Sequence, residues 1–201
     1  DDQRKACAGG ARAKRTRRHT MRLWNAFHTA ALAMVGPLLI AASAEADPMK
    51  DTFTGWCVAT EIDADGDGNT ASSCTAHGWS AWGPTIGSSL SETAPTGGVC
   101  DGELTVLEFT YTSGTGVVRF RKGDLLFTRT TGGTLCFDTK TDTFTYTVHQ
   151  EVTVGTGRFE GATGSFTDTG SGVALAFEMV PPRVTHSASS GSSEGEIVLA
   201  P

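Results

Sequence analysis

The seven residues DADGDGN, Asp63 to Asn69, set oxygen-bearing side chains at alternate positions around a glycine bend. Asp63, Asp65, Asp67 and Asn69 take positions 1, 3, 5 and 7 of a calcium loop, with Gly68 at position 6. An EF-hand would also need a bidentate glutamate at position 12, and that residue is Cys74. The expectation is therefore a looser surface Ca2+ site, with a solvated acidic turn as the plainer alternative. A second motif, GSSEG at Gly191–Gly195, spells G-x-S-x-G with Ser193 in the nucleophile position. A nucleophile elbow needs a strand before it and a helix after it. The serine-rich stretch ahead of a short strand supplies neither, so the match reads as chance.

A third stretch, GTGRFEGATG from Gly155 to Gly164, lies one residue off the dinucleotide fingerprint. Phosphate loops work because amides at a helix N-terminus point at the anion. Here strand-like sequence stands on both sides, and no G-K-[ST] follows. The stretch reads as a glycine corner between strands, with Phe159 dropping into a core and Arg158 bracing the turn. No organic cofactor is expected.

The remaining candidates are isolated acid–base types. His77, next to Trp79 in CTAHGWS, is a candidate for lining the mouth of a pocket. Glu108 interrupts the apolar run LTVLEFTY, and Arg119 and Arg121 share a face of the run that follows. A Glu–Arg pair turned inward would be costly unless satisfied, and that cost is a mark of function. Outward surface charges are the alternative. His149 and Glu151 share a strand face and could act as an acid–base pair if that face lined a lumen. Tyr146 lies on the opposite, apolar face of the same run.

Strand-like segments dominate the elements that must position these groups. They are Thr52–Ala59, Gly102–Thr112, Gly116–Lys122, Leu125–Thr130, Thr134–Asp138, Thr143–Val154, Gly172–Val180 and Gly195–Leu199. TFTYTVHQEVTV alternates most clearly: Phe144, Tyr146, Val148, Val152 and Val154 on one face, Thr, His and Glu on the other. SGTG after Tyr111 and KGD after Arg121 read as hairpin turns. Glu61 to Pro95 reads as loop-rich, and Pro181 to Glu194 as a flexible connection. Such spacing, with no helices between, predicts an all-β antiparallel barrel or sandwich.

Compartment and charge follow from the ends and the cysteines. Met21 opens a basic, then apolar, then small-residue run ending near Ala46, the layout of a cleaved secretory signal. Its apolar part is too short for a stable membrane span. Residues 1–20 are expected to be upstream translation or an extended leader using Arg17-Arg18, and residues 47–201 a single domain. From Asp47 onward the chain carries 8 Lys+Arg and 19 Asp+Glu, a balance that repels nucleic acid and anionic membrane. Cys57, Cys74, Cys100 and Cys136 suit two disulfides in a secreted or periplasmic protein. Of the three connectivities, Cys57–Cys74 with Cys100–Cys136 is favoured, because each bond would tie neighbouring strands or close a loop.

TVGTGRFEGATGSFTDTG resembles a glycine-turn segment of the allene oxide cyclase/dirigent-like barrel superfamily, especially its small secreted bacterial members. CTAHGWS and the closing GEIVL are similar to other segments of those proteins. The resemblance implies an eight-stranded antiparallel β-barrel with an apolar mouth, and activities that rely on a shaped pocket without a redox cofactor. Two functions are expected on this basis. One is a secreted barrel binding an apolar small molecule, with cofactor-free isomerase or cyclase activity tested at Glu108, Arg119, His77 and Tyr146. The other is a non-catalytic structural or adhesive barrel with a calcium-binding loop.

Overall fold

The computed structural model describes residues 46–60, 68–178 and 184–201. They form eight strands: β1 (Ala46–Thr60), β2 (Thr70–Ser80), β3 (Gly83–Val99), β4 (Val106–Phe120), β5 (Leu125–Asp138), β6 (Thr143–Gly155), β7 (Thr163–Glu178) and β8 (Val184–Val198). Each pairs antiparallel with its sequence neighbour, and β1 pairs β8 from Ala46↔Val198 to Thr60↔Val184, closing the barrel. Among the described residues the helical content is two single 3-10 turns, at Cys100–Gly102 and Gly157–Phe159. No helix there is long and apolar enough to cross a membrane.

Several expectations about elements are corrected. The Glu61–Pro95 region, expected to be loop-rich, carries β2 and β3. The Pro181–Glu194 connection is mostly β8, which starts at Val184. β7 begins at Thr163, well before the expected Gly172. SGTG is not a hairpin turn: Ser113 and Gly114 lie inside β4, opposite Glu92 and Ser91, at a register shift. The expected strands Leu125–Thr130 and Thr134–Asp138 are likewise one strand, β5, irregular where Gly132 and Gly133 face His149 and Val148. A bulge lets a strand absorb an extra residue and bend, so glycine inside these strands curves the sheet without ending it. KGD does turn the chain between β4 and β5, where the Gly123 amide donates to the Phe120 carbonyl at 2.9 Å.

The barrel has a filled end and an open end. Met49, Phe120, Leu126, Val152, Phe159, Ala162, Phe166 and Ile197 form one apolar cluster, with Trp82, Val118 and Leu199 against it. The GTGRFEGATG corner joins β6 to β7 at this end and inserts Phe159, which is 0% exposed. Its ring lies 4.5 Å from Phe120 and 5.4 Å from Trp82, centroid to centroid. Gly157 takes φ +61 at the bend, a left-handed conformation that glycine adopts without steric cost. Arg158 Nε reaches Asp124 Oδ2 at 3.4 Å, tying the corner to the β4–β5 turn.

Two disulfides staple the wall. Cys57–Cys74 joins directly paired residues of β1 and β2, and Cys100–Cys136 ties the turn after β3 to β5. The outward row of β6 is Thr143, Thr145, Thr147, His149, Glu151 and Thr153. The outer face of β1–β3 differs, carrying the exposed Trp56, Trp79, Ile86 and Leu90. Beyond a register shift at Thr128, Val154 parts from Phe144, Tyr146, Val148 and Val152 and faces out, 54% exposed.

Phe159→Ala should lower stability by about 3–5 kcal/mol, the usual cost of emptying a core aromatic site. The urea midpoint relative to the parent chain checks this.

Candidate functional site

Toward the open end the inward side chains of β1, β2, β3 and β8 become small. β2, β3 and β8 turn Ser72, Ser89, Ser91, Ser187 and Ser189 inward, and β1 contributes Gly55. Small residues on several walls leave an unfilled lumen of about 480 Å³. That lies inside the ~300–1,000 Å³ range of small-molecule sites. Its floor is the apolar cluster, reached through Met49 and Phe166. Phe109, Leu135, Phe137, Phe144 and Phe177 line it nearer the mouth, with the Phe137 and Phe177 rings edge to face at 6.4 Å.

Aromatic rings also lie along the inner wall, because glycines on the neighbouring strands make room for them. Tyr146 pairs with Gly170, and Gly170 pairs with Gly191. A Cβ at Gly170 would stand 2.5 Å from the Tyr146 hydroxyl, and one at Gly191 would stand 2.9 Å from it. Phe144 lies over its own partner, Gly172, in the same way.

Just above the floor sits a polar cluster. Asp168 on β7 points into the lumen and accepts a hydrogen bond from Ser193 Oγ at 2.5 Å. Gln150 on β6 also hydrogen-bonds the Asp168 carboxylate. Tyr146 hydrogen-bonds with Ser189, and Tyr111 of β4 faces the same charges. Asp168 keeps part of its surface open to the lumen, yet burial pushes its carboxyl up to about 6, against the pull of the two hydrogen bonds. The charge of Asp51 adds to the rise. Burial also pushes the Tyr146 phenol up to about 12 and the Tyr111 phenol higher still, with Asp168 contributing to both. Asp51 lies one ladder step from Ser193, accepts from Thr85 Oγ1 at 3.1 Å, and is likewise raised by burial.

Of the residues expected to carry chemistry, the strands bring only Tyr146 to this lumen. His77 faces outward, exposed, between Thr54 and Ile86 and beside the 65%-exposed Trp79. Its strand parity places it opposite to Ala76 and Cys74, which line the cavity. Glu108 also faces out and accepts from Thr96 Oγ1 at 2.8 Å. Arg119 is exposed near the far end of the same strand. Eleven residues of strand separate the two, on the order of 35 Å, so an inward Glu–Arg pair does not form. His149 and Glu151 are outward as well: His149 Nδ1 meets Thr167 Oγ1 at 3.1 Å, and Glu151 pairs with Arg129 at 2.7 Å. Ser193 is mid-strand, bonded to Asp168, with no helix after it. The calcium-loop residues Asp63, Asp65 and Asp67 lie outside the described residues, and Asn69 Nδ2 donates to Thr112 Oγ1 at 3.3 Å.

Asp168, Gln150 and Tyr111 were not legible as a site. SFTDTGSG reads as strand-like but polar, and its one clue to a site is the two-residue step from the apolar Phe166 to Asp168. No family model, curated protein or solved structure matches the chain.

The raised carboxyls give stability a definite pH dependence. Between about pH 4 and pH 6 the folded Asp168 holds a proton that the unfolded chain has released, so stability falls as pH rises. The urea midpoint should drop across this window and level off above it. Asp168→Asn should flatten most of the slope and raise stability at pH 7 by roughly 1–3 kcal/mol.

Proposed function

We propose that the barrel is an exported carrier or catalyst that receives a small, largely apolar molecule in its lumen. The observation that carries this reading is the lumen itself: about 480 Å³, plugged at one end by aromatic packing and walled by rings and small residues. A structural barrel of eight strands ordinarily fills its interior with its own side chains. Here serine and glycine stand where larger residues would close the space. The polar cluster above the floor gives the bound molecule one orientation, with its polar end toward Asp168.

The same cluster suits cofactor-free isomerisation or cyclisation. A carboxyl titrating near neutrality can take or give a proton, and two neutral phenols can donate hydrogen bonds to a developing oxyanion. Asp168 is the acid–base group in this reading, with Tyr111 and Tyr146 as donors. The likeness of the glycine corner to the allene oxide cyclase/dirigent-like superfamily supports the same class of function. Two disulfides support export to an oxidising compartment.

Titration with the neutral fluorophore N-phenyl-1-naphthylamine tests binding. Saturable uptake of one molecule per chain is expected. Ser89→Trp, which fills the lumen from β3, should weaken it at least tenfold while the far-ultraviolet circular dichroism stays unchanged. Uptake that is absent, or indifferent to the filled lumen, rejects the reading.

A further inference from the structure

The lumen is chemically one-sided. Among the described residues lining it, Asp168 is the one that carries a charge, and no lysine, arginine or histidine joins it. A further charge that acts on Asp168 is another carboxylate, Asp51. Gln150, 9% exposed and lining the lumen, has its Oε1 without a hydrogen-bond partner. An unmet acceptor in a buried site is costly, and a donor on a bound molecule removes that cost. The rings of Phe53, Phe109, Tyr111, Phe144 and Tyr146 add faces that attract positive charge.

We propose that the natural occupant is an amphiphilic amine, with its ammonium group on Asp168 and Gln150 and its apolar body against the rings toward the mouth. This rests on the reading of the lumen as a small-molecule site and narrows the class it takes. An ammonium supplies what the floor lacks: a positive charge and several donors at one point. A carboxylate ligand would meet Asp168 and Asp51 with no cation to separate them. The net negative balance of the chain beyond Asp47 draws cations to the barrel as well.

The pairing is pH-dependent, and its direction follows from the groups around Asp168. Gln150 and Tyr146 face it from β6, Ser193 from β8, Tyr111 from β4 and Asp51 from β1. The two phenols remain neutral through the neutral range, so the carboxyls set the profile. Asp168 is mostly ionised at neutral pH and becomes protonated below about 6, so amine affinity should fall there.

Three matched eight-carbon probes test this by calorimetry: octylamine, octan-1-ol and octanoate, at about pH 7.5 and about pH 5. Octylamine should bind at least tenfold more tightly than octan-1-ol near pH 7.5, and octanoate more weakly than either. The amine's advantage should shrink near pH 5, and Asp168→Asn should reduce it at least tenfold near pH 7.5. Ser89→Trp, which leaves every surface charge in place, should abolish amine uptake. If octan-1-ol binds as well as octylamine, or octanoate binds best, the cation preference is overturned while the lumen reading stands. Amine uptake that persists in the filled variant belongs to the acidic surface and overturns the proposal. If none of the three probes binds, both readings fail together.

Discussion

A closed sheet of eight strands encloses a fixed interior, and side chains must fill it or leave it hollow. This barrel does each in turn along its axis. At the β6–β7 corner, Phe159, Phe120 and Trp82 meet edge and face to make a solid plug. A few steps along the axis the inward positions of β2, β3 and β8 become serine and threonine, and the rings carried by β4 to β7 leave a hollow beside them. The plug makes the hollow tolerable, because the apolar cluster anchors one end of β1 and of β4 to β8, with Trp82 packing from the β2–β3 turn, while the other end borders open space. A cavity this size in a barrel without such an anchor would leave little apolar burial to hold the strands together.

The division explains which elements can be read from the residues alone. β6 alternates cleanly because its inward row runs from Phe144 through Val148 to Val152, deep into the plug. β2, β3 and β8 do not. Their inward serines face space rather than a core, so no apolar inward row marks the two-residue period. A strand that lines a hollow therefore resembles a linker. SASSGSSEG in β8 is the extreme case, a strand with the composition of a flexible tether. The Phe159 corner was legible for the opposite reason: a single large aromatic among glycines has only one use.

The site follows the same logic. Tyr146 could be found because it shares a row with Phe144 and Val148. Asp168 could not, since apart from Phe166 two residues before it the surrounding residues are Thr, Ser and Gly. Glu108 stands out in the sequence because it interrupts an apolar run, yet it takes the outward position between inward-facing residues of β4, and Arg119 and His77 are outward too. Ile86, Trp56, Trp79 and Leu90 show that the outer wall of β1–β3 also carries large apolar side chains. Hydrophobicity alone thus fails to tell inside from outside here. Cross-strand partnership does, because Gly170 and Gly191 have meaning only once Tyr146 is seen to lie over them.

The ladder between β1 and β8 joins the two strands farthest apart along the barrel's chain. Contacts of such long sequence separation form late, since the intervening loop entropy must be met first. Without that seam, the other strands would make a curled open sheet with two bare edges and no enclosed space. The enclosed lumen depends on the β1–β8 seam, where the first and last strands meet. A guest that favours the closed barrel therefore acts on this seam, and occupancy and edge protection become the same event. The strand edges, the most aggregation-prone feature of any unfinished sheet, are hidden by the step that creates the chamber.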